Sequence, residues 1–499
     1  MTTRLTVLDL IIVVAYVVGT TLIGVWFTRR QKDLKTYFVG GRNVGWGLLL
    51  FSIVSMETSV VTFLSVPGLS FKTGGNWTFL QLACGYLIGR LLVAWLLLPQ
   101  YFRGECFSAY ELLRDRFGPI VQRVASGIFV LTRTIADGLR LYLTALLLQQ
   151  ITGWNQNVSV LVMGGTMIVY TFLGGMQAVI WTDLIQFIIY LLGAIFAAYF
   201  ILDALPGGLN EVVQVGTETG KFQTIDTTLT FSSIYVLWAG IIGGAFLSMA
   251  SHGADQIMVQ RYLCARSLGH ARTALLLSGL VVFVQFALFL FIGVGLYALH
   301  INGGLPLPAD TKPDQVFGIF IINRLPSGLI GFVVAGVLAA AMSSTLNSSA
   351  TALLSDFYRP LVRGRTERHY LLVSKWATVI CGIAQISVAL GANFLQSDES
   401  IINRVLAVAG LTTGLILGVF LIGLLPRRVG PTAALIGLLV GMGTVVTLWV
   451  PTIWGEVIVA WPWYAPIGAL TTVGVALLTD LTGIGHGSSV DRSAKPGVG

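Results

Sequence analysis

The chain has 499 residues, of which 55% are hydrophobic and only 10% are charged. Soluble domains carry about 25% charged residues, so the composition excludes a soluble enzyme or a nucleic-acid-binding module and reads as an all-α polytopic membrane protein. The net charge of +8 fits basic loops lying against anionic lipid.

Thirteen apolar stretches reach the roughly 20 residues that cross a bilayer. They lie near 6–27, 44–70, 77–100, 124–151, 157–174, 178–203, 232–259, 272–300, 328–357, 370–395, 400–425, 430–450 and 458–481. Placing the N-terminus outside puts most of the 30 Lys and Arg residues on inward loops. The sequence therefore predicts N-out, C-in insertion in the cell (inner) membrane. The first stretch lacks a small-residue cleavage site and reads as a retained helix. Cys84, Cys106, Cys264 and Cys381 are scattered and form neither a disulfide framework nor a metal cluster. Loops are short, the longest near 204–231, and leave no room for a soluble catalytic domain. Residues 483–499 form a Gly- and Ser-rich tail expected to be disordered and cytoplasmic.

The second stretch places Glu57 near the bilayer midplane among Ser55, Thr58, Ser59 and Thr62. An unpaired carboxylate there costs at least about 2.5 kcal/mol. Hydroxyls and a charge in mid-span, followed by Pro67-Gly68, suggest an interrupted helix whose freed carbonyls coordinate an ion, or a buried Glu paired with an Arg. Arg90 in the third stretch is the candidate partner. Ser108-Ala-Tyr-Glu111 has capping-box spacing and opens a short helix running to Gly118-Pro119.

The fourth stretch carries Arg133, Asp137 and Arg140 at spacings of four and three, which reads as a salt-bridged triad on one helix face, with Arg140 also open to a solute carboxylate. Asp183 starts the sixth stretch about 9 Å inside the inner boundary, on an inward path or packed against backbone amides. The seventh turns polar at Ser251-His252-Gly253-Ala-Asp255-Gln256 and mirrors the second. Interrupted helices in corresponding places point to a midplane binding site. His252 is either a protonation switch or a histidine hydrogen-bonded beside Asp255.

The segment Gly336 to Pro360, which overlaps the ninth stretch, begins apolar and turns to small hydroxyl residues. Ser343, Asn347 and Thr351 share one stripe; Ser344, Ser348 and Ser355 share the next. Such a face lets another helix approach closely, or replaces the water around a hard cation with oxygen ligands. The eleventh stretch adds Gly410-Leu-Thr412-Thr413-Gly414 and Gly418, suited to close packing or a solute hydroxyl.

Phe38-Val-Gly-Gly-Arg42, Gly174-Gly-Met-Gln-Ala-Val-Ile-Trp-Thr-Asp183, Asp255-Gln-Ile-Met-Val-Gln-Arg-Tyr262 and Ala339-Ala-Ala-Met-Ser-Ser-Thr-Leu-Asn-Ser348 resemble the sodium/solute symporter family. That family contains bacterial proline, galactose and sialic acid symporters and animal sodium/glucose cotransporters. The resemblance covers residues 5–450 and implies a leucine-transporter-like 5+5 inverted repeat. Within one transporter domain, 1–482, the five-helix repeats would be 44–203 and 232–425, with one extra helix before them and two after. It further implies a sodium ion held by the carbonyls of Ser55, Thr58 and Ala340 and the hydroxyls of Ser343 and Ser344, with Asp183 as a second cation station on the exit path. The family pattern usually has about three more residues between Met342 and Ser348. Because three residues turn a helix by about 300°, a second register would put Ser343 and Ser344 near a third site. Ser251-His252 stands where sugar cotransporters have aromatic residues, which leaves a glucose-type aromatic gate without support.

The expectation is sodium-driven import of a small polar organic solute by alternating access, a sugar or polyol ahead of a monocarboxylate. Glu57, Thr62, Gln81, Arg140, Ser251, His252, Thr412 and Thr413 are the solute-binding candidates. Proton coupling through Glu57 or His252 and an ion channel are rival readings. A membrane enzyme would need a nucleophile–base pair or His/Cys cluster, which the sequence lacks.

Overall fold

A computed structural model describes residues 6–28, 42–103, 108–341, 345–392 and 401–482. Residues 38–41 of the first motif, Ser343, Ser344 and the tail 483–499 lie outside the described residues. Among the described residues the secondary structure is helical apart from one parallel bridge between Val44 and Ala265. In chain order the helices are α1 (Val7–Thr28), α2 (Trp46–Glu57), α3 (Val60–Phe71), α4 (Leu80–Tyr101, with a π-turn at Val93–Leu97), α5 (Glu111–Phe117) and α6 (Pro119–Thr152). Next come α7 (Gln156–Ala204), α8 (Gly208–Glu218), α9 (Gly244–Gly253), α10 (Gln256–Leu263), α11 (Leu268–Ile301) and α12 (Pro313–Arg324). The chain closes with α13 (Leu329–Ala341), α14 (Thr345–Ala352), α15 (Glu367–Gly391), α16 (Ile401–Leu424), α17 (Pro431–Trp449) and α18 (Tyr464–Leu481).

The expected count of about thirteen transmembrane helices, and the leucine-transporter-like five-plus-five division counted on it, is corrected here. Among the described residues seven helices are long and apolar enough to cross a membrane, or eight if the bent pair α2–α3 is one span. Apolar run length misjudged the rest for identifiable reasons. The fifth and sixth stretches form one helix, α7, continuous for 49 residues. Gly174-Gly175 does not break it, because glycine lowers helix stability by only about 1 kcal/mol per residue. The seventh stretch is split at Ala254, where α9 ends and α10 begins at Gln256. The ninth is described as α13 and α14, with residues 342–344 outside the described residues. The fourth, α6, carries Arg133, Asp137 and Arg140, too many charges for a purely apolar span.

The second span is interrupted in mid-span, as its hydroxyls and charge suggested, at Thr58-Ser59. The two halves bend by 60°, and Ser59 is extended (φ −77°, ψ 173°). Pro67 rides inside α3, and Gly68 lies against Pro313, where a Cβ would come within 2.6 Å of the Pro313 carbonyl oxygen.

Two features tie the central helices together. On α4, Gly85 and Gly89 face α9 and the π-turn before it so closely that a Cβ would lie 2.3 Å from the Gly240 oxygen and 2.4 Å from the Ala245 oxygen. Small residues permit such backbone approach between helices in lipid, where no hydrophobic force drives them together. At one end of the bundle Lys221 is buried, and its Nζ donates to the carbonyls of Ser70 (2.8 Å), Lys72 (3.0 Å) and Phe71 (3.2 Å) while lying over the Tyr297 ring. It thereby satisfies the orphan carbonyls that end α3. The opposite, basic end carries the Val44–Ala265 bridge, α5 and Arg427 paired with Asp480 at 3.0 Å.

Gly85→Val should lower the melting temperature of detergent-purified protein by an amount matching about 1–3 kcal/mol of overpacking. A variant melting within experimental error of the parent would show that the α4–α9 seam is looser than its contacts indicate.

Candidate functional site

The break between α2 and α3 supplies oxygen. The last ladder bond of α2 runs from Thr58 N–H to the Val54 carbonyl at 2.8 Å, so the carbonyls beyond it lack intrahelical partners. Thr62 Oγ1 donates to one of them, Glu57 O, at 3.3 Å. Thr58 Oγ1 donates to Gln285 Oε1 on α11 at 2.7 Å. Ser55 Oγ is buried with no hydrogen-bond partner among the described residues. A buried orphan hydroxyl beside freed carbonyls is a donor set for a hard cation. Helix α13 packs against α3 and is described as far as Ala341, so Ala340 is the one member of its half of the expected sodium set whose backbone is described.

Beside the break lies a buried ionic cluster contributed by three elements. Glu57 at the end of α2 pairs with Arg90 of α4, whose side chain is 1% exposed. Arg90 Nη2 and Nε lie 3.2 and 3.4 Å from Nε2 of His252, which closes α9. His252 Nδ1 is 2.8 Å from the Tyr262 hydroxyl. Arg carries donors only, so Nε2 accepts and the ring proton sits on Nδ1, donated to Tyr262. A second proton on Nε2 would set donor against donor. The pairing of Glu57 with Arg90 was one of the two readings of that span. The expected partner of His252, Asp255, is engaged elsewhere.

Asp255 caps α10, its Oδ1 accepting from Ile257 N–H at 2.9 Å, and its Oδ2 pairs with Arg133 of α6. The helix-internal triad therefore splits: Arg140 Nη1 keeps Asp137 at 3.1 Å, while Arg133 reaches across to the α9–α10 break. The hydroxyls of Thr132 and Thr412 are 2.8 Å apart. Thr412 and Thr413 line a cavity of about 20 Å³ with Thr132, Arg133, Ala254 and Asp255. Water fits such a space; an organic solute, which needs a pocket of roughly 300 Å³ or more, does not. Below it, Ala109 N–H donates to Gln256 Oε1 at 2.6 Å, and buried Asp356 accepts from Ser108, Gln122 and Ser126.

The remaining candidates fall in separate places. Asp183 on α7 accepts from Ser52 Oγ at 2.6 Å and pairs with Arg261 at 2.9 Å. Arg261 looked like a basic loop residue, but it is wholly buried on α10. Gln81 opens α4, nine residues and about 14 Å from Arg90 along the helix, and is held by Tyr235 O (3.0 Å) and Asp226 N–H (3.2 Å). Ser251 sits in the last turn of α9, its hydroxyl 3.4 Å from Ser248 O. Gly414 and Gly418 pack on Ala465 and Thr472 of α18, so their half of that small-residue face serves packing. Arg133, Gln285 and Arg261 were missed as site residues. For Arg261 a signal existed, since an arginine within a polar, motif-bearing helix segment is a candidate for burial.

The described residues contain no group of three or more His, Cys, Asp or Glu able to hold a metal ion. The model of the sodium:solute symporter family matches residues 37–441. The chain belongs to that family. It is 30% identical to the sodium/sialic acid symporter NanT of Aliivibrio fischeri over 95% of this chain and 92% of the relative. It is 27% identical to the sodium-coupled monocarboxylate transporter 2 of Bos taurus over 98% of this chain and 78% of that one. A solved substrate-bound, outward-open state of a Na⁺-coupled sialic acid symporter superposes with a TM-score of 0.85, at 26% identity, covering 96% of this chain and 98% of the other. This protein is accordingly a multi-pass inner-membrane symporter of a small polar organic solute, coupled to sodium, and not an enzyme.

Removing one partner of a buried pair strands the other at about 3–5 kcal/mol. Arg90→Met should therefore destabilise the purified protein strongly, and Glu57→Gln combined with Arg90→Met should recover much of the loss. A double variant no more stable than the single one would mean that the two side chains do not interact.

Proposed function

We propose that this symporter imports a sugar-related organic solute, with sodium bound between the carbonyls of Ser55 and Thr58 on one side and Ala340, Ser343 and Ser344 on the other. Residues 1–482 act as one transporter unit, inserted with the N-terminus outside and the C-terminus in the cytoplasm. The observation that carries this reading is the near-complete match of the chain to the solved sialic acid symporter. It is supported locally by the 60° break after Glu57, the orphan Ser55 hydroxyl and the packing of α13 on α3.

Sialic acid is an acidic sugar, and the side chains near the middle of the bundle suit both halves of that description. Thr62, Ser251, Thr412 and Thr413 offer hydroxyls. Arg140 is 22% exposed and is bonded to Asp137 through Nη1, while its Nε has no partner among the described residues. An arginine with donors to spare is suited to a carboxylate. The same observation favours a second reading, a simple monocarboxylate, as the bovine relative's name has it.

Sodium at the break favours one of two conformations by binding it more tightly, and this differential affinity couples the gradient to solute. The basic end is closed by the Arg133–Asp255 pair and the 20 Å³ cavity; release toward the cytoplasm requires that pair to part. A sodium ion leaving past Asp183 competes with Arg261 for the same carboxylate oxygen.

Purified protein melted against a panel of acidic sugars, neutral polyols and short monocarboxylates should be stabilised by one class in sodium and by none in choline. Linkage gives about 2.7 kcal/mol at a hundredfold excess over Kd. Equal stabilisation in both salts would refute sodium coupling at the solute step. Arg140→Ala should abolish the response to acidic compounds; a response kept intact would remove Arg140 from the site.

A further inference from the structure

The most remote hydrogen bonds at any helix start in the bundle are those of Asp9. Its side chain is fully buried. Oδ1 accepts from the backbone N–H groups of Gly328 and Gly331, both at 2.7 Å, while Oδ2 accepts from Thr6 N–H (2.9 Å) and Thr6 Oγ1 (2.7 Å). The other two N–H groups that open α13, those of Leu329 and Ile330, donate to Pro326 O at 3.1 and 3.3 Å. The orphan donors of this helix start are therefore all satisfied, two of them by a carboxylate more than three hundred residues away. The backbones are in contact as well. A Cβ on Gly331 would lie 2.5 Å from Asp9 Cα and 2.6 Å from its carbonyl oxygen.

A helix that needs only a cap takes one from its own N-cap side chain, as α10 does from Asp255. A cap supplied from α1 does something more: it fixes the height of α13 along its axis relative to α1, which packs along both α13 and α7. Helix α13 is described over 13 residues, about 20 Å, and carries Ala340 in its far turn. We propose that Asp9 is a positioning residue for the sodium site, holding α13, and with it the Ala340 carbonyl, at the depth of the α2–α3 break. This rests on the sodium site assigned under Proposed function.

The test is sodium-dependent thermal stabilisation of the purified full-length protein, with sodium chloride as the probe and choline chloride keeping ionic strength constant. Asp9→Ala should raise the half-saturating sodium concentration about five- to tenfold, at the low end of couplings between distant sites. Asp9→Asn, which keeps the acceptor oxygen, should recover most of that shift. An Asp9→Ala protein that melts lower in choline yet half-saturates within about twofold of the parent would reduce Asp9 to a structural cap and overturn the proposal. Should the alanine variant fail to fold, Gly331→Ala carries the test, since it pushes α1 and α13 apart with the carboxylate intact; an unchanged sodium response there is equally fatal. Ser344→Ala separates the two levels. If it leaves the sodium response unchanged, the assigned site is wrong and the proposal falls with it. If Ser344→Ala shifts the response and the Asp9 variants do not, the site stands and only the role of Asp9 is lost.

Discussion

Charge buried in a bundle surrounded by lipid has no water to fall back on, so each carboxylate must find donors within the protein. Glu57 with Arg90, Asp183 with Arg261, Asp255 with Arg133 and Asp137 with Arg140 meet that requirement as ion pairs. Three of the four join different helices. Since truncating either member exposes the other to the full desolvation penalty, these pairs specify which helices are neighbours more sharply than apolar contact with similar apolar contact does.

The placement of the pairs also explains why the backbone can be interrupted where it is. Ending α2 at Glu57 and α9 at Gly253 leaves carbonyls and amides without ladder partners, which lipid does not tolerate. Both breaks meet charged side chains, the first Arg90 and His252 and the second Arg133, and the second also borders the small cavity. The interruptions and the charges are thus one feature: irregular backbone survives at membrane depth because charged and hydroxyl side chains gather around it, and that same gathering provides the ligands.

How much of this was legible in the sequence depended on whether the determining contact was local. Glu57 among hydroxyls in an apolar run announced a break, and composition alone could do so. Pro67, the eighth of the twelve residues of α3, removes one ladder bond without ending that helix. The Arg133–Asp137–Arg140 spacing described neighbours on one helix surface correctly and still misassigned Arg133, whose partner Asp255 is 122 residues away. Span counting erred in the same manner. Hydropathy registers where the chain is apolar, not whether the helix continues, so α7 was divided at two glycines that the structure carries through.

The two ends of the bundle are closed by different physics, and this bears on which end yields more easily. At the basic end closure rests on the Arg133–Asp255 pair and on the segment 108–110 docked to Gln256 and Asp356. At the other end Lys221 and Gln81 bind backbone carbonyls and an amide, and Tyr235 donates to Asn403 at 2.7 Å. Parting a charged pair is tolerable only if water reaches both members as they separate. Neutral contacts such as Tyr235–Asn403 exchange for water at little net cost, because each net hydrogen bond is worth only about 1 kcal/mol. The barrier to opening is therefore steeper at the basic end, where one ion pair must hydrate before the cavity can grow to admit a solute.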